Sequence, residues 1–152
     1  MSVIPLILAG QFEEVGKTFQ EAIQPQGFDV VHFVASTQGA LADIPVVLKG
    51  EIPTSAAVTG SKVGSGNLAH GVPRAVVLSG AYDDAFVDRL HKEIAAAGQP
   101  VPILKLDAGA KAAGAKPTAE QTKAVVDRAV KVLKKLEGEG KLDGGDNGIY
   151  TY

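Results

Sequence analysis

Four short apolar runs punctuate the chain, and between them hydrophobic residues recur every three or four positions. The runs are Val3–Ala9 (VIPLILA), Phe28–Ala35 (FDVVHFVA), Arg74–Gly80 (RAVVLSG) and Val101–Asp107 (VPILKLD). Short, nearly continuous apolar segments of this kind suit strands buried on both faces. The intervening pattern is helical. Phe12, Val15, Phe19, Ala22 and Ile23 share one face, and Pro25 with Gly27 ends that helix. Asp83 stands where a helix N-cap belongs, ahead of Phe86, Leu90 and Ile94. The last helix opens with Thr118 as cap and Gln121 three residues on, the spacing of a capping box. Val125, Val126, Ala129, Val130, Leu133 and Leu136 form its stripe, and Gly138 closes it.

Strands that alternate with helices predict an α/β fold: three layers, doubly wound, with a mainly parallel sheet and right-handed crossovers. This is the Rossmann-like or flavodoxin-like class. Ala42–Glu51 leaves open a fifth strand. A helix is preferred there, because Asp43 and Pro45 make a helix start and Gly50 a stop. The expected strand order is 2-1-3-4, with 3-2-1-4 as the alternative. Pro102, at the start of the fourth strand, suits an edge. Residues 1–137 are read as one domain and residues 138–152 as a glycine-rich tail ending in IYTY.

Composition narrows the function classes. A net charge of -2, with no run of like charge longer than two residues, offers no surface for nucleic acid. The absence of cysteine excludes disulfides, thiol catalysis and cysteine-ligated metals. The first residues carry no basic region ahead of an apolar stretch, and no apolar run has the length of a membrane span. A cytoplasmic protein with no membrane partner is the expectation.

The stretch LILAGQFEEVGKTF, Leu6–Phe19, imitates a phosphate-binding loop. The spacing fails, because five residues separate Gly10 from Gly16 where the motif needs four, and Glu13 and Glu14 oppose a triphosphate. Gly16 is then either a helical glycine or a point where the helix approaches a strand closely. The dinucleotide fingerprint fails too: Gly10 is followed by Gln11, Phe12 and Glu13, and Ser36 and Thr37 stand where a ribose-binding acid belongs. DGGDNG, Asp143–Gly148, lacks the ligands of a calcium loop, and no metal site is expected. No serine-nucleophile motif occurs.

Two connections depart from the rhythm. Ala108–Pro117 is a Gly/Ala/Lys linker, whereas residues 51–73 form a long Gly/Ser/Thr-rich segment. Within the latter, Gly60, Ser61, Lys62, Gly64 and Ser65 could form an anion nest. Ser79, Gly80 and Asp83, after the third strand, lie where open α/β sheets bind ligands. His70 is the histidine best placed for acid/base work; His32 reads as a core histidine with a backbone partner, and His91 as a helix-flank residue.

LSGAYDD resembles the fourth strand of response-regulator receiver domains, but Ala9-Gly10-Gln11 replaces their acidic pair and no phosphorylatable Asp follows the preceding run. RAVVLSGAYDD, VPILKLD and the aromatic tail resemble small uncharacterised Rossmann-like proteins of fungal type. That resemblance implies a fold and no activity. The expected function is binding of a nucleotide-like or phosphorylated metabolite in a crevice at the strand C-termini. Gly10, Gln11, Ser36, Thr37, the residues of the nest, Ser79 and Gly80 would hold it. One alternative is an enzyme using His70, Ser79 or Asp83 in the same crevice. Another is a scaffold or homodimer in which IYTY adds an edge strand to another chain. No cofactor is assigned.

Overall fold

A computed structural model describes residues 3–10, 12–34, 37–50, 72–78, 82–98, 101–106, 119–142 and 148–152. All strands lie in one parallel sheet of five: β1 (Ile4–Ala9), β2 (Phe28–Val34), β3 (Val76–Leu78), β4 (Ile103–Lys105) and β5 (Ile149–Thr151). Their order is β2-β1-β3-β4-β5, which extends the expected 2-1-3-4 by one strand. The helices are α1 (Glu13–Ile23), α2 (Thr37–Leu48), α3 (Asp84–Ala96) and α4 (Ala119–Gly138).

Two cores follow from the alternation of side chains along each strand. On one face, Leu6 and Leu8 of β1, Phe28, Val30 and Phe33 of β2 and Val77 of β3 pack under Phe19 and Ile23 of α1 and Val126, Ala129 and Leu133 of α4. On the other, Ile7, Ala9, Val31, Val34, Val76 and Leu78 meet Ile44, Val47 and Leu48 of α2 and Phe86, Leu90 and Ile94 of α3. Each fully buried Leu, Ile or Phe contributes about 1.5–3 kcal/mol, so the two cores together drive the three-layer arrangement.

Gly16 resolves in favour of close packing. A Cβ built on it would lie 2.6 Å from Cε2 of Phe33, so only glycine lets α1 settle this deeply on β2. Pro25 sits in a short 3-10 turn, Gln24–Gln26, and Gly27 follows with φ 94°.

Several boundaries differ from the pattern reading. The candidate strand is helical from Ala42 to Leu48, as preferred, and Glu51 lies outside the described residues; α2 starts at Thr37, so Asp43 and Pro45 lie inside it rather than at its start. The burial of Ile44, Val47 and Leu48 outweighs the hydrogen bond that a mid-helix proline forfeits. Gly50, with φ 90°, ends it as expected. β4 is not an edge: its partner on the far side is the tail strand β5. Pro102 precedes β4, and its carbonyl still accepts from Val76 N–H at 3.0 Å. α4 ends at Gly138, as expected, and the left-handed residue that caps it is Gly140: it takes φ 74°, and the bonds Gly140 N–H to Glu137 O and Lys141 N–H to Leu136 O complete a Schellman motif. Thr118 lies outside the described residues. No helix among the described residues is long and apolar enough to cross a membrane.

Candidate functional site

The strand C-termini form a level row. Val34, Ala9, Leu78, Lys105 and Thr151 are successive register partners across the sheet. From this row the chain leaves β1 toward β2 on one side and β3 toward β4 on the other, so adjacent β1 and β3 part in opposite directions. Such a divergence is the topological switch point at which open α/β sheets hold ligands.

Two tyrosines reach this edge from opposite faces. Tyr82, packed in the α2/α3 core, donates its hydroxyl to the carbonyl of Gly10 at 3.0 Å. Tyr152, packed in the α1/α4 core, donates to the carbonyl of Leu78 at 2.7 Å. Burial pushes both phenols above the ordinary tyrosine value, with the charge of Arg128 pulling Tyr152 partly back. Both hydroxyls therefore stay protonated and act as fixed donors. The ring of Tyr82 lies 4.7 Å from that of Phe86. Gly10 donates its own N–H to Val34 O at 2.9 Å, so its amide is already satisfied within the edge.

Charge at the edge is mixed. Asp83 caps α3, its Oδ1 accepting from Phe86 N–H at 2.8 Å, as the sequence suggested. Asp84, in the first turn, pairs with Lys105 Nζ at 3.0 Å. That carboxylate is exposed, so the pair adds little stability but holds a cation at the end of β4. Glu13 and Glu14 place two acids in the first turn of α1, where they complement the helix dipole.

A second polar cluster escaped the pattern reading. The register of β1 with β2 slips between Leu6 and Ile7, leaving Val31 as an extra residue. The slip turns His32 to the face of Val31, toward α2. There Nε2 of His32 lies 3.2 Å from Oδ2 of Asp43, and both residues are buried. The partner of His32 is thus a side chain and not the backbone expected. A lone Asp among the apolar residues of Leu41–Leu48 was the available signal, masked by its reading as a cap.

Of the residues assigned to the site from sequence, Gly10 and Asp83 meet the edge as described, and Thr37 begins α2. Gln11, Ser36, Gly60, Ser61, Lys62, Gly64, Ser65, His70, Ser79 and Gly80 lie outside the described residues. His91 lies half-buried on α3. Among the described residues, no group of three His, Cys, Asp or Glu could hold a metal ion, and every buried side-chain nitrogen or oxygen has a partner. Comparison with family models, with curated proteins and with solved structures found no match.

Proposed function

We propose that this chain is a small-molecule-binding protein whose ligand, a nucleotide-like or other phosphorylated metabolite, sits over the switch between β1 and β3. The observation that carries the reading is the strand order: β1 and β3 are neighbours whose connections part in opposite directions above a level row of strand ends. Gly10, Leu78 and Tyr82 form its floor, and Lys105 supplies a cation beside it. The acids at Glu13 and Glu14 favour a singly phosphorylated ligand over a polyphosphate, since each added charge approaches the start of α1 at greater cost.

A thermal-shift screen with AMP, ATP, NAD and glucose 6-phosphate tests this. A ligand at 100 times its dissociation constant adds about 2.7 kcal/mol to stability. The reading expects AMP or glucose 6-phosphate to raise the melting temperature more than ATP does. Four unchanged melting temperatures at millimolar probe would overturn it.

A further inference from the structure

The Tyr152 hydroxyl spans more of the sheet than any strand pairing of the tail. β5 pairs only with β4, yet Tyr152, the residue after it, bonds the last carbonyl of β3, one strand further in. Tyr152 is 4% exposed, and it gives its N–H to Lys105 O at 3.0 Å. The tail strand is three residues long, with Ile149 and Thr151 exposed, so buried Tyr152 is its main anchor. A second contact steadies the same segment: Lys141 Nζ stands 5.3 Å from the centre of the Tyr150 ring.

The bond falls at a sensitive place. Leu78 is the last residue of β3 and the register partner of Ala9, which stands next to Gly10. Tyr152 bonds the carbonyl of Leu78, and Tyr82 bonds that of Gly10, just after β1. The two hydroxyl bonds make a chain of contacts from β5 through β3 to β1, ending at the switch point. Each acceptor is a main-chain carbonyl, so loss of either bond acts on the backbone rather than on a side chain that can turn away.

We infer that Tyr152 is a positioning residue for the β1/β3 switch point, so that docking of the C-terminal strand is a condition for ligand binding there. The ligand part of this inference rests on the function proposed above. The geometric part does not: with the tail undocked, β3 loses the fastening at its end, and Tyr82 and Gly10 sense the change without a ligand. By linkage the effect runs both ways, and a ligand that needs the fastened edge also holds the tail in place.

The test compares the wild-type chain with Tyr152→Phe, with a chain lacking residues 149–152, and with Ile23→Val as a core truncation away from this edge. Nitrogen–proton and aromatic spectra are recorded for Gly10 and Tyr82 without ligand. AMP, ATP, NAD and glucose 6-phosphate are then titrated into each. The expected result is that Tyr152→Phe shifts the Gly10 and Tyr82 resonances and weakens the binding probe at least about fivefold, the lower end of ordinary coupling between sites. The truncated chain should do so more strongly, and Ile23→Val should do neither. Should none of the probes bind the wild type, the proposed ligand class falls, and the spectra alone decide the coupling. Gly10 and Tyr82 resonances that coincide between wild type and Tyr152→Phe would overturn the inference, as would a loss of affinity equal to that of Ile23→Val.

Discussion

His32 of β2 and Asp43 of α2 meet 3.2 Å apart beneath the α2 layer, each at least nine-tenths buried. The contact exists because one extra residue in β2 turns His32 to the face on which α2 packs. A buried polar group left without its partner costs about 1–3 kcal/mol, so Asp43→Ala should lower stability by about that amount in a denaturant titration. Replacing both residues by leucine should restore much of the loss, because a buried polar pair seldom outperforms apolar packing of similar volume. A double variant no more stable than Asp43→Ala would contradict this.

Gly16 and Phe33 set the depth of α1 on the sheet. Alanine gains about 1 kcal/mol over glycine in a helix interior, but a methyl here would sit 2.6 Å from a ring that is 1% exposed. Overpacking costs about 1–3 kcal/mol, so Gly16→Ala should be net destabilising. With Phe33→Val in place the ring is gone and the same substitution should become neutral or favourable. Equal effects in the two backgrounds would show that the close approach is not what requires glycine.

The C-terminal end of α4 offers a contrast between two glycines. Gly138 is helical with open space where its Cβ would go, so Gly138→Ala should stabilise by about 0.4–1 kcal/mol. Gly140 has φ 74°, and Gly140→Ala should cost about 1–2 kcal/mol. Melting temperatures of the two variants should move in opposite directions.

Alkaline titration should expose the buried tyrosines. Both hydroxyls ionise at higher pH in the fold than in the open chain, because burial disfavours the phenolate. In the window between the two values the unfolded chain binds fewer protons, so stability falls as pH rises. The contribution is fully present below about pH 10, the ordinary tyrosine value, and is lost progressively above it. Tyr82→Phe and Tyr152→Phe should each flatten that loss while costing about 0.5–1.5 kcal/mol at neutral pH from the missing hydrogen bond.

Much of this architecture is written locally. The runs containing Ile4–Ala9 and Phe28–Val34 declare strands on their own, and Asp83 caps α3 because its carboxylate reaches a backbone N–H three residues on. What the pattern missed depends on partners distant in sequence. IYTY suits an edge strand added to another chain, yet Ile149–Thr151 pairs with β4 of this one, and nothing within three residues declares that partner. Asp43 and Pro45 look like a helix start, yet buried neighbours carry α2 through them. The switch between β1 and β3 was legible through the strand order, but the side chains that meet there were not: Tyr82 and Tyr152 bond carbonyls 72 and 74 residues away in sequence.

The ligand is proposed to bind at the switch between β1 and β3. Chemical-shift mapping with AMP and with glucose 6-phosphate measures it most directly. The largest changes are expected at Gly10, Leu78, Tyr82 and Lys105, on the C-terminal edge. Changes gathered instead at the opposite edge, around Ile4, Phe28, Ala75 and Ile103, or spectra unaltered at saturating probe, would contradict it.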